Sequence, residues 1–226
     1  MPTSPDRPVG DWISAKAEVV CLQLIRANSL AGIEPLDVGI LHATAYLVNA
    51  LSPVIDQAPV FTDVLKRNGL PYIAELQEGL DRLLTRRAVR VETFALSLNS
   101  EGSYDLDLKV YLDNATTKRI FSRLDEYKEE VDFASLALEV ALGLAASDDP
   151  EDVFLEDASY SDPAVSVNRL IQVANDEAGA TNLSATTAEW FRSVVANGRV
   201  MSDEEQVNLY MGHLRRLVDA TADLGG

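Results

Sequence analysis

Cysteine and histidine are nearly absent from this chain of 226 residues, which has one cysteine and two histidines. A single cysteine, Cys21, cannot form an internal disulfide, and no positive neighbour marks it as a reactive thiolate. His42 and His213 lie 171 positions apart and form no His-Glu-x-x-His motif, so the sequence indicates no histidine metal site. We therefore expect Cys21 and His42 to be core residues, with His42 hydrogen-bonded.

Long apolar runs are also missing. No uninterrupted stretch approaches the roughly 20 residues that span a bilayer, and Met1 to Pro8 lacks the apolar core of a signal peptide. We therefore expect a cytoplasmic protein with no membrane partner.

Positive charge is scarce in the second half of the chain. Residues 1–100 carry 9 basic and 11 acidic residues, whereas residues 101–226 carry 10 basic and 25 acidic residues. A net charge of −17 repels nucleic acids and anionic membranes at long range and favours basic protein partners. No basic residue occurs between Glu129 and Asn168, and the densest acidic part, residues 148–162, predicts a solvated loop in which Val153, Phe154 and Leu155 pack on a neighbouring element.

The clearest structural pattern spans residues 71–112. Apolar residues at helical spacing predict a helix over 71–87, with Pro71 in its first turn. Two alternating runs follow, separated by a turn at 99–103, and predict a β-hairpin. Its predicted pairs are Leu98 with Tyr104, Leu96 with Leu106 and Phe94 with Leu108, all on a buried face. A bulge near Glu92 and Thr93 brings Val91 and Val89 opposite Val110 and Leu112, and the other face, with Asp105, Asp107, Lys109 and Tyr111, is predicted to be solvated or partner-facing.

The remaining periodic segments are mostly helical. Helices are predicted over about 11–30, 37–52, 114–128, 131–146, 163–177, 185–197 and 203–222, while 58–65 fits a strand or a short helix. The last helix begins with a capping box at Ser202–Glu205, and its apolar stripe packs either on the chain's own core or on a partner. This predicts a predominantly helical α+β fold: a winged-helix-like part with a β-hairpin, then a C-terminal helical part. The predicted domains are 1–112 and an acidic helical 113–226, with an acidic linker at about 147–162.

One basic cluster stands out in this acidic chain. It comprises Arg82, Arg86, Arg87 and Arg90, with Lys66 and Arg67 nearby. In a winged helix these side chains would meet phosphates, but Glu75, Glu78 and Asp81 on the same helix would repel them. Contact with DNA, contact with acidic groups of a partner or of this chain, and plain solvation all remain open.

The sequence contains no convincing catalytic constellation. Asp107-Leu108-Lys109 resembles half of a magnesium-dependent nuclease site, but the Pro-Asp half is missing, and Glu126-Tyr127-Lys128 matches equally well. The acidic stretch 148–162 lacks the oxygen spacing and central glycine of an EF-hand. We therefore expect a non-enzymatic protein with no cofactor and no metal.

The stretch from Leu36 to Thr93 resembles the small winged-helix middle components of bacterial three-component ABC systems, including Lamassu-type anti-phage operons. The resemblance rests on a buried helix at 41–51, the Asn68-Gly69-Leu70-Pro71 turn, and a helix whose basic last turn enters a strand. More distantly, it is similar to the kite-type accessory subunits of bacterial condensins.

The resemblance implies an accessory subunit that joins an SMC-like ATPase and an effector, with DNA reached through the complex and a homodimer as one arrangement. The alternatives are a winged-helix regulator or antitoxin that binds DNA through the basic cluster and, third, a magnesium-dependent nuclease.

Overall fold

The computed structural model describes residues 9–67, 69–98, 104–174, 181–195 and 200–225. About 60% of the protein is helical, and its strands form small antiparallel sheets, which confirms the predicted α+β, predominantly helical class. The helices are α1 (Val9–Leu30), α2 (Val38–Leu51), α3 (Ala74–Thr85), α4 (Asn114–Leu124), α5 (Lys128–Ala145), α6 (Pro150–Leu155), α7 (Leu183–Val195) and α8 (Asp203–Gly225). The strands are β1 (Leu36–Asp37), β2 (Val64–Lys66), β3 (Pro71–Ile73), β4 (Val89–Leu98), β5 (Tyr104–Leu112) and β6 (Leu170–Ile171).

The strands form two small antiparallel sheets. One has the order β1-β5-β4, with Leu36 of β1 opposite Val110 of β5. The other has the order β3-β2-β6, with Val64 of β2 between Ile73 of β3 and Ile171 of β6. The third strand of each sheet, β1 or β6, has only two residues, so it pairs with a small part of its neighbour.

Helix α2 lies at the centre of the core. Every residue from Ile40 to Leu51 is buried, as predicted for a helix packed on several sides, and Pro53 follows in a short 3₁₀ turn, Ser52–Ile55. Among the described residues, Val38–Ile55 is the one segment long and apolar enough to cross a membrane. However, 78% of it is buried within the protein, the pattern of a soluble protein's core helix.

The core is continuous through both halves of the chain. Its buried residues belong to one hydrophobic cluster, in which α5 packs against α1, α2 and α8. Cys21 is fully buried, as predicted, and burial raises the pKa of its thiol. The predicted domain boundary at residue 112 stays a prediction.

A buried carboxylate joins four segments at a point that we call the Asp157 junction. Its Oδ2 accepts from the Tyr210 hydroxyl of α8 at 2.7 Å, and its Oδ1 accepts from the Ser184 hydroxyl of α7 at 2.8 Å. The Tyr46 hydroxyl of α2 also donates to Oδ1, as do the backbone N–H groups of Ser159 and Tyr160 at 3.0 and 3.1 Å. The predicted solvated loop at 148–162 is therefore wrong at Asp157, which is fully buried, whereas the predicted packing of Val153 and Phe154 is confirmed, since both are fully buried in α6.

Several other local predictions need correction. Pro71 is not in the first turn of α3; it lies in β3 opposite Lys66, and α3 begins at Ala74. The predicted helix at 163–177 is absent from the described part of that segment, where β6 instead pairs with β2. The helix predicted from Asn114 to about Lys128 ends at Leu124, and its N-cap is Asp113. Residue 68 and the predicted turn at 99–103 lie outside the described residues.

The last helix follows its prediction closely. The capping box is formed, with the Glu205 N–H donating to Ser202 Oγ at 3.1 Å and the Ser202 N–H donating to Glu205 Oε2 at 3.0 Å. The stripe faces the chain's own core, since four of its members are at most 1% exposed: Val207, Tyr210, Met211 and Leu214.

Candidate interaction surfaces

The basic cluster begins where α3 lies unusually close to α1. Gly79 permits this approach, because a Cβ at that position would come within 2.9 Å of the Ala17 backbone. One turn later, Arg82 and Arg86 both reach Glu18 of α1, whose side chain is only 9% exposed. The acidic contact of these two arginines is therefore within the chain.

Arg90 also has an intramolecular partner. Its Nε and Nη2 both donate to Asp113 Oδ2, at 3.0 and 2.5 Å. This hydrogen bond lowers the pKa of the Asp113 carboxyl, whose other oxygen caps α4 by accepting from the Ala115 N–H at 3.1 Å. Arg90 thus fastens β4 to the start of α4.

The two remaining flanking cations rest on aromatic rings. The Lys66 ammonium lies 5.3 Å from the Tyr160 ring centroid and donates to the Asp162 carbonyl at 3.3 Å. The Arg67 guanidinium lies 3.8 Å from the Tyr72 ring centroid. These contacts fix both side chains against the protein surface.

Arg87 differs from the other members of the cluster. It is exposed, adopts the left-handed conformation with φ of 59° just after α3, and forms no ion pair with any other described residue. The structure therefore engages five members of the cluster within the chain and leaves the charge of Arg87 open to solvent. That the cluster binds a partner or nucleic acid stays a prediction.

The β4–β5 hairpin has the register predicted from the sequence. Leu98, Leu96 and Phe94 lie opposite Tyr104, Leu106 and Leu108, and the register shifts between Val91 and Thr93. The pairings Val91 with Val110 and Val89 with Leu112 are likewise confirmed. The bulge and the pairs follow from alternation alone.

The prediction that this face is buried is wrong for most of the hairpin. Four large apolar side chains, which we call the hairpin face, are exposed: Phe94 by 71%, Leu98 by 63%, Leu96 by 59% and Leu106 by 52%. Burial returns only at the base, where Leu108, Val110 and Val89 are at most 6% exposed. The exposure of these four side chains shows that no described element packs over the hairpin face, and β1 lies beside β5 in the same sheet only at Lys109 and Val110.

The opposite side of the hairpin is polar. Asp107 is exposed, whereas Lys109 and Tyr111 are half-buried, and the side chain of Asp105 lies outside the described residues. Beyond its base, the hairpin therefore presents an apolar face and a polar face. The length of the alternating run is the sequence signal for this exposure, because β4 has ten residues and extends beyond the elements that pack on its base.

The titratable candidates for chemistry are dispersed. His42 is 4% exposed; its Nδ1 accepts from the Ile73 N–H at 3.2 Å, and its Nε2 lies 3.3 Å from Gln77 Oε1. Burial lowers the pKa of His42 to about 4, which confirms a neutral, hydrogen-bonded core histidine. His213 packs its ring edge against Phe191, with centroids 4.9 Å apart. Across the described ranges, no group of three or more His, Cys, Asp or Glu side chains has an arrangement that could hold a metal.

A groove of about 1090 Å³ lies between α1, α5, the start of α8 and residues 55–60. Seven carboxylates and two lysines line it, above an apolar floor. The sequence analysis missed this acidic groove, because its walls come from four separated segments. The acidic composition of 129–168 was the available signal, but it pointed to a linker.

Comparison with known proteins adds no further assignment: no family model, no curated protein and no solved structure matches this chain.

Proposed function

We propose that this protein is a non-enzymatic accessory subunit that docks onto a larger cytoplasmic assembly. The hairpin face carries the proposal, because four adjacent large apolar side chains left in water favour burial against another protein. Each would gain roughly 1 to 2 kcal/mol on burial at about 25 cal/mol per Å². The ordered, self-contained core on the rest of the chain provides the scaffold for this surface.

The order of elements supports a winged-helix unit in the first half. Helix α1, strand β1, helix α2, helix α3 and the β4–β5 hairpin occur in this order, with the short strands β2 and β3 inserted between α2 and α3, and β1 pairs with β5 as the first strand of a winged helix does. This arrangement agrees with the resemblance to middle components of SMC-like ABC systems. On this proposal the assembly contains an SMC-like ATPase and acts in anti-phage defence or in chromosome or plasmid surveillance.

Co-purification from the native host tests the proposal. The tagged wild-type chain should retain a large coiled-coil ATPase identified by mass spectrometry, and Leu96→Arg should abolish that retention. Leu30→Arg is the matched control, since Leu30 is 64% exposed at the end of α1, and it should retain the ATPase. Recovery of no ATPase, or of equal amounts with both variants, would contradict the proposal.

Binding of DNA by a winged-helix regulator is the second candidate function. The same order of elements favours it, as does the unpaired charge of Arg87. The intramolecular pairs of Arg82, Arg86 and Arg90 weigh against it, because phosphate binding would have to displace Glu18 and Asp113. Fluorescence anisotropy with promoter DNA at low salt tests it: binding that does not change in Arg86→Glu plus Arg87→Glu excludes this reading.

A further inference from the structure

The acidic groove combines an apolar floor with charged walls. Val20, Phe133, Leu136 and Val207 are buried beneath it and belong to the core cluster. Half-buried Val19 extends the same surface. The floor is therefore rigid, since its residues are held in place by α1, α5 and α8 together.

The walls of the groove carry more negative charge than they neutralise. Of the two lysines, Lys128 pairs with Asp132 one turn along α5, which leaves Lys16 against the remaining carboxylates. Glu139 of α5 and Glu204 of α8 both line the groove, and the charge of Glu204 acts on the Glu139 carboxyl. Neither has a cationic partner among the described residues.

The closeness of these carboxyl groups has a measurable consequence. Burial raises the pKa of Glu139, and its hydrogen bond and repulsion with Glu204 raise it further against the lowering effect of Asn208. A cation placed between the two would relieve this repulsion. The groove is thus electrostatically complementary to lysine and arginine side chains.

We propose that the acidic groove binds a basic amphipathic helix of a partner protein, with its apolar face on the floor and its lysines or arginines against Glu139 and Glu204. A helix is about 10 Å wide and rises 5.4 Å per turn, so 1090 Å³ accommodates roughly two to three turns. Helix-in-groove binding needs this pairing of an apolar floor with a matched rim.

Other occupants fit less well. A second copy of the chain carries the same net charge of −17, and residues 1–8 contain only Arg7 as a base, balanced by Asp6. Nucleic acid and anionic lipid share the sign of the walls. The inference rests on the proposed function in that it specifies the chemistry of one partner, but the site is separate from the hairpin face.

Fluorescence anisotropy with labelled synthetic peptides tests the inference on the full chain. The probes are a 14-residue helix of leucine and lysine in amphipathic order, the same peptide with glutamate for lysine, and a scramble of the basic peptide. We expect the ordered basic peptide to bind at least tenfold more tightly than either alternative. Raising the salt from about 50 to 500 mM should weaken this binding severalfold, since exposed charges are then screened.

Charge-neutralising variants localise the binding. Glu139→Gln plus Glu204→Gln should weaken the basic peptide at least tenfold. Glu78→Gln plus Asp219→Asn, which removes two exposed carboxylates that do not line the groove, should stay within twofold of wild type. Thermal melting confirms that both variants fold. Equal binding of the scrambled peptide, or equal loss in both variants, would overturn the inference.

The two proposals fail separately. If the groove variant binds the peptide normally while Leu96→Arg loses the ATPase, only the helix-binding inference is wrong. If the groove binds the peptide as expected but the wild-type chain retains no ATPase, the proposed assembly is wrong and the helix-binding inference is supported.

Discussion

The hairpin face and the Asp157 junction depart from the usual distribution of polar and apolar groups in opposite directions. The hairpin leaves Phe94 and three leucines in water, while the junction encloses a carboxylate completely. The junction is nevertheless complete, because five donors of the same chain satisfy Asp157. The hairpin has no such compensation among the described residues. The difference teaches that a buried polar group can be satisfied within the protein itself, whereas an exposed apolar surface needs a second molecule to bury it.

Substitution of Asp157 should have the largest effect on stability. Asp157→Ala leaves the buried hydroxyls of Tyr46 and Tyr210 without their acceptor, so we expect a loss of about 4 kcal/mol in the free energy of unfolding. Urea denaturation followed by circular dichroism measures it. Asp152→Ala, an exposed change on α6, is the control and should alter stability by less than about 0.5 kcal/mol. A loss of less than about 1 kcal/mol for Asp157→Ala would show that the hydrogen bonds of the Asp157 junction contribute little to the stability of the protein.

His42 provides a second inward polar group and a pH test. Its folded pKa of about 4 lies below its unfolded value of 6.5, so the unfolded state binds the extra proton first as the pH falls. The contribution of neutral His42 to the free energy of unfolding is fully present above about pH 6.5. It falls by about 3 kcal/mol as the pH approaches 4. The charge of the nearby Arg67 lowers the pKa of His42 in the same direction as burial.

Urea denaturation of wild type and His42→Gln from pH 7.5 to 4.5 checks this expectation. Because glutamine does not titrate, the difference in unfolding free energy between the two proteins should change by about 2.5 kcal/mol across the window. A constant difference would mean that His42 is not held neutral in the folded protein.

Leu106 and Leu108 allow an exposed and a buried position on one face of a strand to be compared directly. They lie on the same face of β5, two residues apart, yet Leu106 is 52% exposed and Leu108 only 6%. Leu108→Ala should cost about 2 to 3 kcal/mol of unfolding free energy, whereas Leu106→Ala should cost less than about 0.5 kcal/mol. Thermal melts of the two variants, done in parallel, measure the contrast. Equal losses would mean that the hairpin face is covered in the isolated protein.

The smallest stability effect is expected for Leu96→Thr. Threonine is β-branched and favours a strand, and Leu96 is already 59% exposed, so unfolding free energy should change by no more than about 0.5 kcal/mol. Binding of a hydrophobic dye to the folded protein should nevertheless fall. Unchanged dye binding would remove the evidence that this face is accessible.

Local pattern was enough to predict several elements of this fold. The capping box of α8, the buried helix α2 and the hairpin register with its bulge depend on residues close in sequence. Alternation identifies which side chains of a hairpin share a face, but it contains no information on whether another element covers that face. The error at Phe94 and Leu96 therefore came from tertiary structure, not from the strand itself.

The candidate sites show the same limit. The basic residues were identified from composition, yet the pairing of Arg86 with Glu18 joins positions 68 apart and depends on the close approach at Gly79. The acidic segment was predicted to be solvated because six of the ten residues from 148 to 157 are carboxylates, while a single one, Asp157, fixes the segment to three helices. β6 replaced a predicted helix because Ile171 pairs with Val64 across more than 100 residues.

The central position of α2 has a consequence for synthesis of the chain. The hydroxyl of Tyr46 in α2 donates to Asp157, which lies 111 positions later, and Asp157 also accepts from Tyr210, 164 positions after Tyr46. A ribosome therefore releases an apolar helix long before its last neighbours exist, and until then that helix resembles a membrane-spanning segment. Chaperones that shield nascent apolar segments should engage this chain from about the emergence of α2 until α8 is complete.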